Sequence, residues 1–452
     1  MASNVDKQRS GLASPVSLIV GLGKTGLSCA RHLAARGHRL RITDSRATPP
    51  GAGELARLGI DAVTSFGRFD LRLLDGAGQV VVSPGVSLRE PLLVEATSRG
   101  LDVLGDIELF AREVSGRVVG ITGTNGKSTV TTLVGEMARA AGLRVRVGGN
   151  LGEPALDLLT GDAADLYVLE LSSYQLETTH SLVLEAGAVL NLTPDHMDRY
   201  SDLVEYGAAK ARIFERCGTA VVNADDEYTT RLPRPGQATA RFSVLDPQAD
   251  YAVAVRDGRE WLVARGDALM PVAELGIAGA HNAANALAAL ALGDACGLPR
   301  PAMLGTLRSF TGLPHRAQWV ADRRGVRWID DSKGTNVGAT LAAVAGFTGP
   351  LVLIAGGDGK GQDFSPLAAA FRGKVRAVVL IGRDAAAIAA ALDGVCEVHR
   401  AVTLPEAVQR AAGLARSGDT VLLSPACASL DMFRDYAERG AVFAAAVRSL
   451  PA

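Results

Sequence analysis

Aromatic residues make up only 5% of this 452-residue chain, and its five cysteines (Cys29, Cys217, Cys296, Cys396 and Cys427) form no C-x-x-C pair. An odd count without paired spacing excludes a disulfide framework or a zinc ribbon as the organising device and fits a reducing cytoplasm. Excess charge is missing too, since 47 Lys and Arg face 48 Asp and Glu. That balance supplies no broad field for a nucleic acid or a membrane surface, so an anionic ligand must be met by local groups. Long apolar runs are absent: residues 385–392 are typical, whereas a membrane span needs about 20. Residues 1–15 are polar and lack the apolar centre of a signal peptide. A cytoplasmic protein without membrane insertion is the expectation.

What is present is an ordinary globular composition, 48% hydrophobic and 21% charged, in a chain long enough for two to four domains. Short apolar runs alternate with stretches of helical period, which predicts an α/β fold with mostly parallel sheets. Three blocks separate. The first opens with a strand over 16–20, a glycine turn, a helix over 27–36 and a strand over 39–43. A further run over 80–82 ends at Ser83-Pro84-Gly85. The second holds a strand over 118–122, a glycine loop and a helix over 128–141. It continues with strands over 166–169 and 188–192, a β-rich insertion over 240–272 and an alanine-rich helix over 282–292. The third begins near Leu313 and carries strands over 351–355, 378–381 and 420–424.

The loop Gly123-Thr124-Asn125-Gly126-Lys127-Ser128-Thr129 is the strongest local signal. A glycine turn between strand and helix lets backbone N–H groups approach phosphate oxygens, while Lys127 reaches the phosphates and Ser128 or Thr129 reaches Mg²⁺. Ile121 stands where the common phosphate-loop spacing has its first glycine, so the plain motif fails. The flanking strand and helix still favour phosphate binding over an ordinary turn. Glu170 ends a buried run, where α/β ligands sit, and a carboxylate beside phosphates suits Mg²⁺. A helix-start acid is the bland alternative.

His196 follows another strand and is either a ligand-binding or a structural histidine. Lys210 lies in a helical stretch, where a solvated lysine is the default. Gly21-Leu22-Gly23-Lys24-Thr25-Gly26 with Asp44 matches the dinucleotide fingerprint, which serves a nucleotide-sugar diphosphate equally well. In the third block, Asp331-Ser332-Lys333-Gly334-Thr335-Asn336, Gly356-Gly357-Asp358-Gly359-Lys360 and Ser424-Pro425-Ala426-Cys427-Ala428-Ser429 all follow strands. Turn chemistry explains their glycines but not the repeated lysines, which suit a substrate with two carboxylates.

Together with Gly105-Asp106-Ile107-Glu108, Glu170-Leu171-Ser172-Ser173-Tyr174-Gln175-Leu176-Glu177, Asp195-His196-Met197-Asp198-Arg199-Tyr200, Gly279-Ala280-His281-Asn282 and Leu313-Pro314-His315-Arg316, these segments resemble the Mur ligases of peptidoglycan synthesis. The likeness runs from Gly21 to Gly440. It implies three domains: a Rossmann-like UDP-substrate-binding domain over 1–105, a phosphate-loop ATPase domain over 106–312, and a Rossmann-like domain over 313–452 that completes the ATP and amino-acid sites. The implied reaction is ATP-dependent addition of D-glutamate to UDP-N-acetylmuramoyl-L-alanine through an acyl phosphate, on a monomer.

By the same likeness, Lys24, Thr25, Ser45, Arg46, Ser83, Asn150 and His196 hold the UDP substrate. The phosphate loop with Asn282, Asn285, Arg316 and Asp331 holds ATP, and Lys333, Thr335, Lys360, Ser429, Leu430 and Tyr436 hold glutamate. Two Mg²⁺ ions are implied, on Ser128, Thr129, Glu170, His196 and a carbamylated Lys210, with Lys127, His196 and Lys210 serving catalysis. Tyr436, Gly334 and Ala317-Gln318 depart from the family's usual form; Tyr436 and Gly334, near the glutamate pocket, keep an L-glutamate-adding variant open, and the phosphate-loop style with glutamate ligation is shared by a folylpolyglutamate synthase-like ligase. A dehydrogenase built on the first glycine motif leaves the second and third blocks unexplained. A non-catalytic nucleotide switch would bind ATP without releasing phosphate.

Overall fold

Runs of Val, Ile and Leu bounded by glycine or polar turns form strands buried on both faces, as parallel sheets between helices require. The computed structural model describes residues 14–347 and 349–451. The signal-peptide reading rested mainly on residues 1–13, which lie outside the described residues.

Three sheets follow one another along the chain. The first comprises β1 (Val16–Val20), β2 (Arg39–Asp44), β3 (Ala62–Phe66), β4 (Gln79–Val82) and β5 (Asp102–Leu104). All are parallel, in the order β3-β2-β1-β4-β5. The second contains β6 (Arg117–Thr122), β7 (Val145–Gly149), β8 (Leu166–Glu170), β9 (Leu184–Val189), β10 (Cys217–Asn223), β11 (Thr239–Ser243), β12 (Tyr251–Arg256), β13 (Arg259–Ala264) and β14 (Asp267–Pro271). Their order is β14-β13-β12-β11-β10-β9-β6-β8-β7. The third comprises β15 (Gln318–Arg323), β16 (Val326–Asp330), β17 (Leu351–Gly356), β18 (Val375–Ile381), β19 (Glu397–Arg400) and β20 (Thr420–Leu423), ordered β15-β16-β20-β17-β18-β19.

In each sheet the connections leave a central strand in opposite directions, which opens a crevice at the carboxyl ends of the strands. Those crevices receive the Gly21 turn after β1, the phosphate loop after β6 and the Lys360 loop after β17. The central core packs β6 and β8 against the helix Lys127–Ala140, with Val119, Ile121, Val130, Leu133, Val134 and Met137 all at 0% exposure. Burying each such side chain contributes about 1.5–3 kcal/mol, which anchors the loop between strand and helix.

Two of the expected boundaries shift for physical reasons. The first helix starts at Lys24, because the glycine turn runs directly into it. β9 ends at Val189 rather than continuing to 192: Leu190 N–H still donates to Thr122 O at 3.0 Å, but Asn191 leaves the ladder to brace the phosphate loop. The expected β-rich insertion is present as β11 to β14, which extend the edge of the central sheet. Among the described residues no helix is long and apolar enough to cross a membrane.

Candidate active site

Gly123 and Gly126 take φ of +144° and +84°, backbone that glycine adopts without a Cβ penalty. A Cβ on Gly126 would meet Asn285 Oδ1 at 2.4 Å. The loop is braced by the residues after β9. Thr124 N–H donates to Asn191 O at 3.0 Å, Asn125 N–H to Asn191 Oδ1 at 2.8 Å, and Thr124 Oγ1 to Thr193 O at 3.1 Å. Lys127 Nζ folds back on the carbonyls of Gly123 and Thr124, each at 2.9 Å. Burial lowers its pKa, with Glu170 and Asp195 opposing. The following helix presents its N-terminal N–H groups and dipole to the same space, a favourable seat for phosphate.

Glu170 is 2% exposed. Its Oε1 accepts from Asn150 Nδ2 at 2.6 Å, while Oε2 is buried without a hydrogen-bond partner. Burial works to raise this carboxyl, but the Lys127 charge and its hydrogen bonds outweigh burial and hold it below the usual range. An anionic oxygen left unpaired in a crevice suits a hard cation.

Lys210 sits on the far side of the loop on the helix Leu203–Ala211, fully buried. It donates to Gly123 O at 3.0 Å and Thr122 Oγ1 at 3.3 Å, and its Nζ lies 4.5 Å from the centroid of the Tyr206 ring. Burial, and then Lys127, push its pKa well below the usual lysine value. The helix lysine that reads as solvated from sequence is therefore a buried, readily neutral amine. His196 takes φ +59° and packs edge-on to Tyr174 at 5.0 Å between centroids. Burial brings its pKa down to about 3 despite Asp195, leaving a neutral ring with a free lone pair.

A cavity of 530 Å³ opens beside the loop, lined by Asn282, Asn285, Arg316, Asp331 and Lys333 as well as Asn125. Asp331 accepts from Ser424 Oγ at 2.8 Å, yet burial raises its pKa to about 7. Lys333 Nζ lies 3.7 Å from the centroid of the Tyr436 ring, and burial lowers its pKa to about 8. Lys360 forms an ion pair with Asp195. Ser429 is buried, Thr335 is half-buried and Leu430 is 71% exposed. The Leu430 side chain is thus the one expected glutamate contact that faces solvent.

A second cavity, of 640 Å³, is lined by Lys24, Thr25, Ser45, Arg46, Ser83 and Asn150, and by Tyr436 from the third domain. Lys333 lines one cavity and Tyr436 the other, so their contact stands between the two spaces. Asp44 makes a two-pronged pair with Arg46, at 2.8 and 2.6 Å, and also accepts from Leu22 N–H at 2.7 Å. Burial would raise this carboxyl, but Arg46 and the backbone bring it to about 2. Both of its oxygens are engaged internally, by Arg46 and the backbone N–H of Leu22.

The Mur ligase middle domain matches residues 121–293, the MurD-like N-terminal domain residues 16–105, and the Mur ligase glutamate ligase domain residues 315–427. The chain is 54% identical to a UDP-N-acetylmuramoylalanine--D-glutamate ligase of Nitrosococcus oceani, over 96% of both chains. The chain belongs to the Mur ligase family. A ligase of the same description from Pseudomonas aeruginosa is 52% identical over 96% of this chain and 98% of that one. Among solved structures, the UDP-N-acetylmuramate-alanine ligase MurC of Thermotoga maritima shares the fold at a TM-score of 0.63 and 20% identity, covering 97% of this chain and all of that one. MurF of Acinetobacter baumannii does so at 0.63 and 17%, over 96% and 90%.

Sequence reasoning named Asn336 in a motif but gave it no role in the candidate site. Asn336 caps the helix Val337–Ala345, and its Nδ2 donates to Asn125 Oδ1 at 3.1 Å and Asp195 Oδ2 at 3.2 Å, tying third domain to phosphate loop. An Asn just before an apolar helical run is a capping signal, but nothing local announces its second role. Backbone strain was equally invisible. Of the eight non-glycine residues with positive φ among the described residues, Asp257, Arg265 and Arg324 each precede the glycine of a hairpin turn. The other five, His196, His315, Ala317, Lys360 and Ala426, lie on loops at or beside the candidate site, where strain is held by surrounding structure.

Proposed function

We propose that this Mur ligase joins D-glutamate to UDP-N-acetylmuramoyl-L-alanine with cleavage of ATP to ADP and phosphate. The observation that carries the reading is that a phosphate-loop cavity and the cavity lined by the first domain's glycine turn lie on either side of the Lys333–Tyr436 contact. D-Glutamate is favoured over the L-isomer because the relatives at 52–54% identity are D-glutamate ligases.

The terminal carboxylate of the UDP substrate attacks the γ-phosphorus of ATP in line, displacing ADP and forming an acyl phosphate. The amine of glutamate, having lost a proton, then attacks the acyl carbon. Collapse of the tetrahedral intermediate expels phosphate and leaves the amide. Lys127 and the N–H groups of the loop face the charge that develops on the phosphoryl group. Lys24, Thr25, Ser45, Arg46, Ser83 and Asn150 seat the UDP substrate; Asn282, Asn285, Arg316 and Asp331 seat ATP. Lys333, Thr335, Lys360, Ser429 and Tyr436, with Leu430 beside them, receive glutamate, whose two carboxylates match the two lysines.

The unpartnered Glu170 oxygen and the Ser128 and Thr129 hydroxyls form an oxygen donor set fit for one Mg²⁺. Lys210, whose burial favours the neutral amine, suits addition to CO₂ with loss of a proton, and the resulting carbamate would, with His196, hold a second. Among the described residues no cluster of three or more His, Cys, Asp or Glu stands together, so phosphate and carbamate oxygens would complete either site. When bound, Mg²⁺ offsets anionic charge on the phosphates and reactants. The reading places the reaction in the cytoplasm, on a single chain.

Phosphate release is the test, measured with ATP, UDP-N-acetylmuramoyl-L-alanine and D- or L-glutamate in separate reactions. Turnover is expected with D-glutamate and to vanish in Lys127→Ala. Near-normal turnover in that variant would sink the scheme, and activity with L-glutamate alone would overturn the stereochemical part.

A further inference from the structure

Arg199 is absorbed by none of these roles, yet it touches both a loop that lines the nucleotide-sugar cavity and the wall that carries His196. Its Nη1 donates to the backbone carbonyls of Pro84 at 3.3 Å and Val86 at 3.2 Å, in the Ser83-Pro84-Gly85-Val86 loop that lines the 640 Å³ cavity. Its Nη2 donates to Glu177 Oε2 at 2.5 Å, and its guanidinium carbon lies 4.3 Å from the Tyr174 ring centroid. Glu177 Oε1 in turn accepts from Tyr200 Oη at 2.7 Å. Tyr174 is the ring that His196 packs against, and the backbone N–H groups of Arg199 and Tyr200 both donate to His196 O, at 3.0 and 3.1 Å. One side chain from the central domain therefore grips the first domain's loop by main chain only and fixes the ring and backbone that hold His196.

We propose that Arg199 is a positioning residue that transmits the seating of the nucleotide-sugar on the Ser83-Pro84-Gly85-Val86 loop to the His196 side of the reaction centre. This rests on the substrate assignment above. The planar fork of arginine meets carbonyls on one side and a carboxylate on the other while stacking on a ring; a lysine ammonium is a point charge that cannot satisfy all three. The outer side of Arg199 lines a groove of 520 Å³ with Glu177, Tyr200 and Ser87, so a small cation can enter where the guanidinium stood.

The experiment uses the full chain, with steady-state kinetics on wild type, Arg199→Ala and Arg199→Lys, with and without added methylguanidinium. Misplacing a reacting centre by an ångström costs on the order of 100-fold. The expected result for Arg199→Ala is a kcat lower by about 10- to 100-fold and a raised KM for the UDP-sugar, with KM for ATP within about twofold of wild type. Arg199→Lys keeps the fold, shown by an unchanged melting profile, but not the rate. Methylguanidinium restores Arg199→Ala in a saturable way and leaves wild type unaffected. A kcat for Arg199→Ala within about threefold of wild type overturns the proposal, as does an equal loss of ATP and UDP-sugar binding that methylguanidinium does not relieve. Failure of the reaction assignment shows separately, as wild-type enzyme that releases no phosphate with the UDP-sugar.

Discussion

Lys333 illustrates how surroundings, more than residue type, set the working state of a side chain. It reads from sequence as a cation for a carboxylate. In the fold it lies over Tyr436, and burial brings its pKa to about 8. The protonated form binds a carboxylate, so affinity is intact below pH 8 and declines as pH rises through that value. Glutarate, which has both carboxylates but no amine to titrate, isolates the effect. Its inhibition constant should weaken about tenfold per pH unit above 8, the limiting slope for one proton. In Lys333→Arg, where the charge persists, the limb should disappear; a flat profile in wild type would remove Lys333 from the binding role. Lys210 marks the limit of what one residue's type can tell. A lysine on an alanine-rich helix carries no sign that it will be buried under a loop 87 residues away in sequence.

At the scale of elements, the turn joining β16 to the helix Val337–Ala345 accounts for one departure from the family's usual form. A Cβ on Gly334 would approach Asp331 Oδ2 at 2.7 Å and Ser424 Oγ at 2.8 Å. Those two groups are hydrogen-bonded to each other and link the ends of β16 and β20. Gly334→Ala should therefore part the two strand ends, at a cost of about 1–3 kcal/mol for an overpacked site, read as a lowered urea midpoint together with a raised KM for ATP. Unchanged values would show that the turn yields without loss. The strands that carry the three crevices were legible, whereas β3, β5, β7, β10, β15 and β19 were not read from the sequence. Runs of β-branched residues marked the former, and the glycine loop before Lys127 and the acid ending β8 marked the central crevice. The end of β9 was not, because Leu190-Asn191-Leu192 continues the apolar pattern while Asn191 serves the loop, a long-range contact that periodicity does not encode.

Across the whole molecule, both cavities are walled by more than one domain. Asn336 and Lys360 bind the third domain to Asn125 and Asp195 of the second. Arg31, Arg89 and Arg199 bind the second to the first, through Asp157, Glu205 and the carbonyls of Pro84 and Val86. Sequence motifs named most of the participants but not these cross-domain pairings, since each partner lies in a different block. Removing one set should loosen one joint: Asn336→Ala is expected to enlarge the radius of gyration of the free protein in small-angle scattering, with ATP and the UDP-sugar reducing the difference. An unchanged radius would mean that the joint is held elsewhere. The joint made by Arg199 has a different mutational character from the other two. Its acceptors in the first domain are peptide carbonyls, which every residue carries, so side-chain changes at Pro84 or Val86 leave an acceptor in place. Drift or drug pressure in the nucleotide-sugar loop can reshape the surface an inhibitor sees while the link to His196 persists, and that link is open to change chiefly through Arg199 and Glu177.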